Sequence, residues 1–418
     1  MSRRHSPTRT ARLRLAAAAT AAAALLVGAA AVPAATADHR AAPTASTSSS
    51  PLTPEELRHR VNRILRDAGY TGITVEVRDG RRRIRARAGE AERNTGRPMP
   101  YGANYRAASV TKTFTATVVL QLVAEGRLSL SDPVEKWLPG VVSGNGNDGS
   151  RITIRNLLQH TSGIYRYDPT EETGDTAAAF EQNRYRHIAP EEIVAGAMKH
   201  RPDFPPAAED DPDPRWNYSN PGYLLAGMII EKATGHPWAE EVRDRIVRPL
   251  HLTGTYAPGD DPRLYGPHAH TYHRFPGSPE WTDTTLRNVN WAGSAGALIS
   301  TDRDLDRFYS ALLGGRLLPP AQLAEMRRTV RVNAAYEMAF PGMRYGLGLA
   351  QQPLTCGGSR WGHGGDLDGG SVRTATDGHG RRTVVIMTTG STSDDEQLLA
   401  AERAVQALLD EVMCARKP

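Results

Sequence analysis

The chain has 418 residues, of which 39% are hydrophobic and 23% charged. This is an ordinary composition for a globular protein, and no internal repeat is visible. The formal net charge of +5 equals the five arginines of residues 1–37, a segment without acidic residues. The rest of the chain is therefore neutral when His is uncharged, which gives no reason to expect a nucleic-acid partner.

Residues 1–37 are predicted to form a secretory signal peptide. Arginines come first, an Ala/Leu/Val run follows from Leu15 to Val32, and Ala35 and Ala37 supply small residues before Asp38. The alternative is a retained N-terminal membrane anchor. Residues 38–52 are rich in Ser, Thr, Pro and Ala and indicate a disordered linker. We expect a secreted protein whose single domain spans residues 53–418, with no stable membrane span after cleavage.

The predicted elements place strands at both ends of that domain. Thr53, Pro54 and Glu56 predict the start of a helix that ends near Asp67. Alternating residues around Asp79-Gly80 predict a hairpin. Helical periodicity dominates residues 109–312, strand patterns return at 344–354, 360–377 and 381–390, and a last helix covers about 395–413. The pattern predicts an α/β (α+β) fold, with a mostly antiparallel sheet from both termini and a cleft beside an inserted helical region.

The stretch AASVTKTFTA, residues 107–116, contains a candidate nucleophile and base. Ser109 and Lys112 are one helical turn apart and share a face. A serine needs a base, and a buried lysine with a depressed pKa can accept its proton, whereas arginine cannot. Only five of the 51 basic residues are lysines. The alternative is an ordinary helix with a solvated lysine, but the apolar run that follows predicts burial.

Two further segments offer polar groups. In RWNYSNPGY, Tyr218 and Asn220 lie on one side of an extended stretch, where a phenol can relay protons and an amide can bind a carbonyl. In WGHGGDLDGG, His363 precedes Gly364 and Gly365, and glycine within a strand indicates close approach of a ligand or backbone. Taken alone, RWNYSNPGY is better explained as an ordinary turn with aromatic packing. The alternative for WGHGGDLDGG is a Gly-rich β-bulge with an exposed histidine.

Two other clusters have competing interpretations. His268, His270 and His273 have the density of a zinc site, but no carboxylate follows at ligand spacing, so we expect no metal and no cofactor. Cys356 and Cys414 are the two cysteines of the chain. An isolated pair in an oxidising compartment tends to be bridged, and two buried free thiols are the alternative.

The order Ser-x-x-Lys, Tyr-x-Asn, His-x-Gly resembles the penicillin-recognising serine hydrolases, especially secreted D-alanyl-D-alanine carboxypeptidases of actinobacteria and class C β-lactamases. The segments 152–164, 218–235 and 292–315 are similar as well, and the likeness covers about residues 55–413. It implies a β-lactamase/transpeptidase-like fold. It also implies a bridge between Cys356 and Cys414, because similar carboxypeptidases tie this strand to the C-terminal helix.

The resemblance also implies roles for single residues. Ser109 would be acylated, Lys112 would activate it, and Tyr218 would act as general acid or base. Asn220 would bind the substrate amide, and Trp291 would line the cleft. His363 would take the place of the lysine in Lys-Thr-Gly and polarise the proton network of Tyr218. The backbone N–H groups of Ser109 and Asp366 would form the oxyanion hole.

The chain departs from the carboxypeptidases beside His363. Gly364 and Asp366 stand where these enzymes have hydroxyl residues, and the preceding strand has no arginine for a terminal carboxylate. These departures concern the terminal carboxylate and leave the nucleophile machinery unchanged. From the resemblance we expect a monomeric hydrolase of the D-alanyl-D-alanine carboxypeptidase type, acting on a peptidoglycan-type peptide. Alternatives on the same site are hydrolysis of a β-lactam or a small ester, and a non-catalytic cell-wall-binding relative.

Overall fold

The computed structural model describes residues 52–415, apart from the side chain of Glu171. The predicted signal peptide, and the predicted linker except for Leu52, lie outside the described residues. None of the helices within residues 52–415 combines the length and the apolar character needed to cross a membrane.

The described strands are short except at the two ends of the domain. They are β1 Gly72–Asp79, β2 Arg82–Gly89, β3 Tyr105–Arg106, β4 Ser143–Gly144, β5 Asn147–Asp148, β6 Tyr272–Arg274, β7 Thr282–Asp283, β8 Ile299–Ser300, β9 Val330–Arg331, β10 Arg344–Tyr345, β11 Ala350–Pro353, β12 Ser359–Gly362, β13 Gly364–Leu367, β14 Gly370–Thr376, β15 Arg382–Thr389 and β16 Ser391–Thr392.

Most helices lie in the middle of the chain. They are α1 Pro54–Asp67, α2 Thr111–Ala124, α3 Val134–Trp137, α4 Ile154–Gln159, α5 Thr170–Thr173, α6 Ala177–Asn183, α7 Pro190–Met198, α8 Asn220–Thr234, α9 Trp238–Val242, α10 Gly293–Gly296, α11 Asp302–Leu313, α12 Pro320–Met326, α13 Ala334–Ala339 and α14 Asp395–Cys414. Single turns of 3₁₀ helix cover Ala108–Val110 and Asn290–Ala292, and a π turn covers Arg243–Val247.

One antiparallel sheet of nine described strands joins the two ends of the domain. Its order is β2-β1-β15-β14-β12-β11-β10-β9, and β13 also pairs with β14. The hairpin of β1 and β2 turns at Gly80, where φ is +60°. The prediction of an antiparallel sheet built from both termini around a helical insertion is therefore confirmed.

The first helix begins where its capping residues predict. Thr53 accepts a hydrogen bond from the backbone N–H of Glu56, and Glu56 accepts one from the N–H of Thr53 at 2.9 Å. This reciprocal cap satisfies two N–H groups that have no partner inside the helix. The helix ends at Asp67, as predicted.

The two faces of the sheet pack against different layers. Ile73, Val75 and Val77 of β1 join an apolar core with α1 and α14. Thr74 points the other way and donates to Asp302 at the start of α11, at 2.8 Å. This alternation is the period of two expected for a strand covered on both faces. The larger core lies on the α11 side and surrounds α2.

The predicted bridge between Cys356 and Cys414 is confirmed. The two Cα atoms are 5.7 Å apart, and the bond ties the loop between β11 and β12 to the end of α14. It thereby holds α14 against the sheet that lies beside the cleft.

Candidate active site

Ser109 lies in the tight turn that leads into α2. The preceding residue, Ala108, has φ +47°, a left-handed conformation that is strained for a residue with a side chain. Strand β13 runs directly against this turn. A Cβ atom on Gly365 would lie 2.2 Å from the carbonyl oxygen of Ala107 and 3.0 Å from the backbone N of Ser109. Only glycine at residue 365 allows this approach.

Lys112 is fully buried, and its amine contacts three oxygen atoms. Nζ lies 3.1 Å from Ser109 Oγ, 2.8 Å from Asn220 Oδ1 and 2.7 Å from the carbonyl oxygen of Ala295. The last two oxygens only accept hydrogen bonds. A neutral amine can donate its two hydrogens to them, which directs its lone pair at the Ser109 hydroxyl. The geometry therefore suits a base that receives the serine proton.

Burial lowers the pKa of Lys112 well below the ordinary value of 10.5. The neutral form of the amine is favoured because an ammonium group loses its hydration inside the protein. The ring of Tyr218 lies over the amine, with 4.7 Å between Nζ and the ring centroid. Lysine suits this position because its pKa can be lowered by burial, whereas an arginine would remain protonated.

Tyr218 precedes α8 in an aromatic cluster beside Ser109. It is buried, and its hydroxyl has no hydrogen-bond partner at standard distance among the described residues. Burial raises the pKa of Tyr218 well above 10, and the nearby phenols of Tyr345 and Tyr336 add to the effect. The phenol is therefore protonated in this state.

His363 contacts a different tyrosine. Its Nε2 lies 2.8 Å from the hydroxyl of Tyr345, and its Nδ1 faces the carbonyl oxygen of Gly364. Burial lowers the pKa of His363 to about 3. The imidazole is therefore neutral at ordinary pH, so it does not supply the positive charge of a lysine. Its predicted influence on Tyr218, whose ring centroid is 6.4 Å away, stays a prediction.

The cleft next to Ser109 is a cavity of about 440 Å³. The predicted residues Asn220, Trp291 and Asp366 line it together with Ser109. Tyr218, His363 and Gly364 line a smaller cavity of about 60 Å³ that also reaches Ser109. The structure thus brings every predicted site residue except Lys112 and Gly365 to a cavity wall, and those two directly support Ser109.

Two charged residues of the site were not predicted. Arg373 on β14 lies opposite Gly364 in the register, and Glu402 on α14 binds its guanidinium. In the sequence, the available signal for Arg373 was that it is the single charged residue of the strand GSVRTAT. His160 was also missed. It is fully buried, accepts a hydrogen bond from the N–H of Ser219 at 3.2 Å and packs on the ring of Tyr218.

The three histidines of the zinc alternative bind separate partners. His270 contacts Asp283 at 2.7 Å, His268 contacts a carbonyl oxygen, and both ring nitrogens of His273 contact serine hydroxyls. No group of three or more His, Cys, Asp or Glu residues suited to a metal ion occurs within residues 52–415.

Known proteins share the sequence pattern and the fold of this chain. A profile of the family described as Beta-lactamase matches residues 57–409. A D-stereospecific amidohydrolase from Streptomyces sp. is 41% identical in sequence, and the structural match covers 84% of this chain and 98% of that one, with a TM-score of 0.74. The D-amino acid amidase from Ochrobactrum anthropi SV3 is 24% identical in sequence. The structural match covers 87% of this chain and 100% of that one, with a TM-score of 0.69. At that identity the likeness concerns the fold alone.

Curated relatives match over shorter stretches. Penicillin-binding protein 4* of Bacillus subtilis (strain 168) is 29% identical over 259 residues, which are 59% of this chain and 52% of that protein. Protein flp of Staphylococcus aureus (strain N315) is 32% identical over 151 residues, which are 36% of this chain and 27% of that protein. The chain thus spans between a quarter and about half of the length of these curated relatives.

Proposed function

The chain belongs to the beta-lactamase family of serine hydrolases, and on that premise we propose that it cleaves amides of D-configured residues through an acyl-enzyme on Ser109. The observation that carries the proposal is the buried amine of Lys112, 3.1 Å from Ser109 Oγ. The 41% identity to a D-stereospecific amidohydrolase supports the choice of substrate class.

In the acylation step, Ser109 Oγ attacks the substrate carbonyl and its proton moves to the neutral amine of Lys112. The negative charge that develops on the carbonyl oxygen is stabilised by the backbone N–H groups of Ser109 and Asp366. The phenol of Tyr218 donates its proton to the leaving amine, and the proton on Lys112 restores the phenol. The C–N bond breaks, and the substrate acyl group remains on Ser109.

Deacylation reverses these roles with water in place of the amine. Water attacks the ester carbonyl, and its proton passes to the relay formed by Tyr218 and Lys112. The relay then returns a proton to Ser109 Oγ as the ester bond breaks. Asn220 serves twice, because its Oδ1 orients the lysine amine at 2.8 Å while its amide N–H₂ is left to bind a carbonyl oxygen of the substrate.

D-alanyl-D-alanine carboxypeptidase activity, the expectation from sequence, is the second candidate. The similarity to penicillin-binding protein 4* supports it. It uses the same nucleophile and differs in the leaving group, which is a D-alanine with a free carboxylate. A cleft for that group needs a cation that is available to the carboxylate.

A panel of four substrates tests the proposal. D-alanine p-nitroanilide, a peptide ending in D-Ala-D-Ala, a penicillin and a short-chain ester are each mixed with the parent protein and with S109A. We expect release of p-nitroaniline by the parent and none by S109A. Hydrolysis of only the peptide, the penicillin or the ester would assign the carboxypeptidase, β-lactamase or esterase alternative. No hydrolysis of any of the four would contradict an enzymatic function.

We further propose that the protein acts outside the cytoplasm as a monomer. The disulfide between Cys356 and Cys414 supports an oxidising compartment. Expression of the whole chain in a bacterial host tests this, with detection in the culture medium, N-terminal sequencing of the secreted form and its mass in solution. Retention of the uncleaved chain in the cytoplasm would contradict secretion.

A further inference from the structure

Asp366, Arg373 and Glu402 form a charged cluster on the wall of the cleft. Arg373 Nη2 donates to Asp366 Oδ1 at 2.8 Å and to Glu402 Oε2 at 2.6 Å, and its Nε lies 3.0 Å from both Glu402 oxygens. The arginine side chain is buried, with 8% of its surface exposed. One guanidinium thus faces two carboxylates, and the cluster has a formal charge of −1.

Arg373 has no N–H group left for a substrate. Its Nη1 donates to the carbonyl oxygens of Val372 at 2.9 Å and Gly365 at 3.3 Å, so all five N–H donors have partners within the protein. Gly364 is part of this arrangement, because a Cβ atom there would lie 3.1 Å from Arg373 Nη1. Because its N–H groups are all taken by the protein, the guanidinium cannot clamp the terminal carboxylate of a D-Ala-D-Ala peptide.

Asp366, in contrast, keeps one oxygen for a ligand. Arg373 occupies Oδ1, whereas no described residue donates a hydrogen bond to Oδ2. The side chain is 22% exposed and lines the cleft with Ser109. The backbone N–H of the same residue is the one proposed for the oxyanion hole, so the carboxylate belongs to the part of the cleft that Ser109 also lines.

The cleft as a whole is lined by more carboxylates than guanidinium groups. Its described lining includes two guanidinium groups, and the second, Arg287, is paired with Asp368 at 3.2 Å. Six carboxylates line it: Asp168, Asp175, Asp366, Asp368, Asp395 and Glu402. Such a cleft attracts cationic substrates and disfavours anionic ones.

We propose that Asp366 selects substrates with a protonated α-amine, so that the preferred substrate is the amide of an unblocked D-amino acid, with its ammonium group paired to Oδ2. This inference rests on the proposed amide-cleaving function and names the substrate class. Arg373 and Glu402 are positioning residues, since they hold the carboxylate in the cleft. A leaving group with a free carboxylate is disfavoured by the same charges.

Two substrates that differ in one group test the proposal on the parent protein. They are D-alanine p-nitroanilide and D-lactic acid p-nitroanilide, in which a hydroxyl replaces the ammonium. We expect kcat/KM to be about 30-fold higher for the alanine substrate, in the range of a hydrogen bond to a charged group. Equal values for the two substrates would overturn the inference and leave the amidase function intact. No hydrolysis of either by the parent would overturn the amidase function itself.

The variant D366N keeps an oxygen for Arg373 and removes the charge. We expect the preference for D-alanine p-nitroanilide over D-lactic acid p-nitroanilide to fall to within about 3-fold, mainly through a higher KM for the alanine substrate. The control is D67N, which removes an exposed carboxylate at the end of α1 that does not line the cleft. A D366N protein with the parent thermal midpoint and an unchanged preference would contradict the assignment.

Discussion

At the scale of single residues, the site depends on the difference between lysine and arginine. The chain has five lysines among 51 basic residues, and one of them is the fully buried Lys112. Its amine can release a proton because burial lowers its pKa. The position of Ser109 and Lys112 one turn apart was predictable from the sequence, since spacing on a helix fixes which side chains meet.

The variant K112R tests this requirement for a neutral base. A guanidinium remains protonated in proteins, so it cannot accept the Ser109 proton. We expect kcat/KM for D-alanine p-nitroanilide to fall by at least about 100-fold, the lower range for loss of a general base. K136R is the matched control, because Lys136 is half-exposed and pairs with Asp132. A K112R enzyme within a few-fold of the parent would show that another group is the base.

The buried amine also makes stability depend on pH. Below pH 10.5 and above the lowered pKa of folded Lys112, the unfolded chain binds one more proton than the folded chain, so the parent loses stability as the pH falls. K112M lacks this term, worth about 1.4 kcal/mol per pH unit. We therefore expect the thermal unfolding midpoint of K112M, measured relative to that of the parent, to be higher at pH 7 than at pH 9. A constant difference would mean that Lys112 is charged in the folded state.

At the scale of elements, β13 and the turn before α2 form one unit. Gly365 packs on the backbone of Ala107 and Ser109, and Gly364 leaves room for Arg373. The sequence predicted that a ligand or another backbone segment approaches β13 closely, because glycine within a strand is typical of such an approach. The partner could not be predicted, because residues 107 and 365 meet only through the tertiary fold. For the same reason, Arg373 and Glu402 escaped prediction: their contact depends on how α14 lies on β14.

The variant G365A tests the close approach. The added methyl group would overlap the Ala107 carbonyl oxygen and must displace β13 from the Ser109 turn. We expect a loss of about 100-fold or more in kcat, the size seen when an oxyanion-hole donor is lost. In the control, G378A, the nearest atom would lie at an ordinary 3.9 Å, and kcat should stay near that of the parent. Parent-like kcat in G365A would contradict the role given to this strand.

At the scale of the whole molecule, the sheet unites both ends of the domain. β1 pairs with β15 over eight residues, from Gly72↔Thr389 to Asp79↔Arg382. Strand patterns at both ends made this topology predictable, whereas the short strands between β3 and β10 have too few residues to leave a periodic signal. The bridge Cys356–Cys414 then fixes α14, which carries Glu402, against the sheet.

Loss of the bridge should lower the stability of the entire domain. The closed loop spans 58 residues, which corresponds to about 4 kcal/mol in the chain-entropy treatment of disulfides. We expect the double variant C356S/C414S to unfold roughly 5 °C below the parent in calorimetry. The parent under a reducing agent should match the double variant. An unchanged midpoint in both would show that the bridge contributes no stability.

Intact-mass spectrometry tests the acyl-enzyme on Ser109 most directly. The parent, S109A and K112R are mixed with D-alanine p-nitroanilide and quenched in acid within milliseconds to seconds. The intact mass of each protein is then measured. Our account predicts a transient gain equal to one D-alanyl group on the parent alone, located by peptide mapping on the peptide that contains Ser109. Turnover of the substrate with the same adduct on S109A, or with the adduct on another residue, would contradict the account.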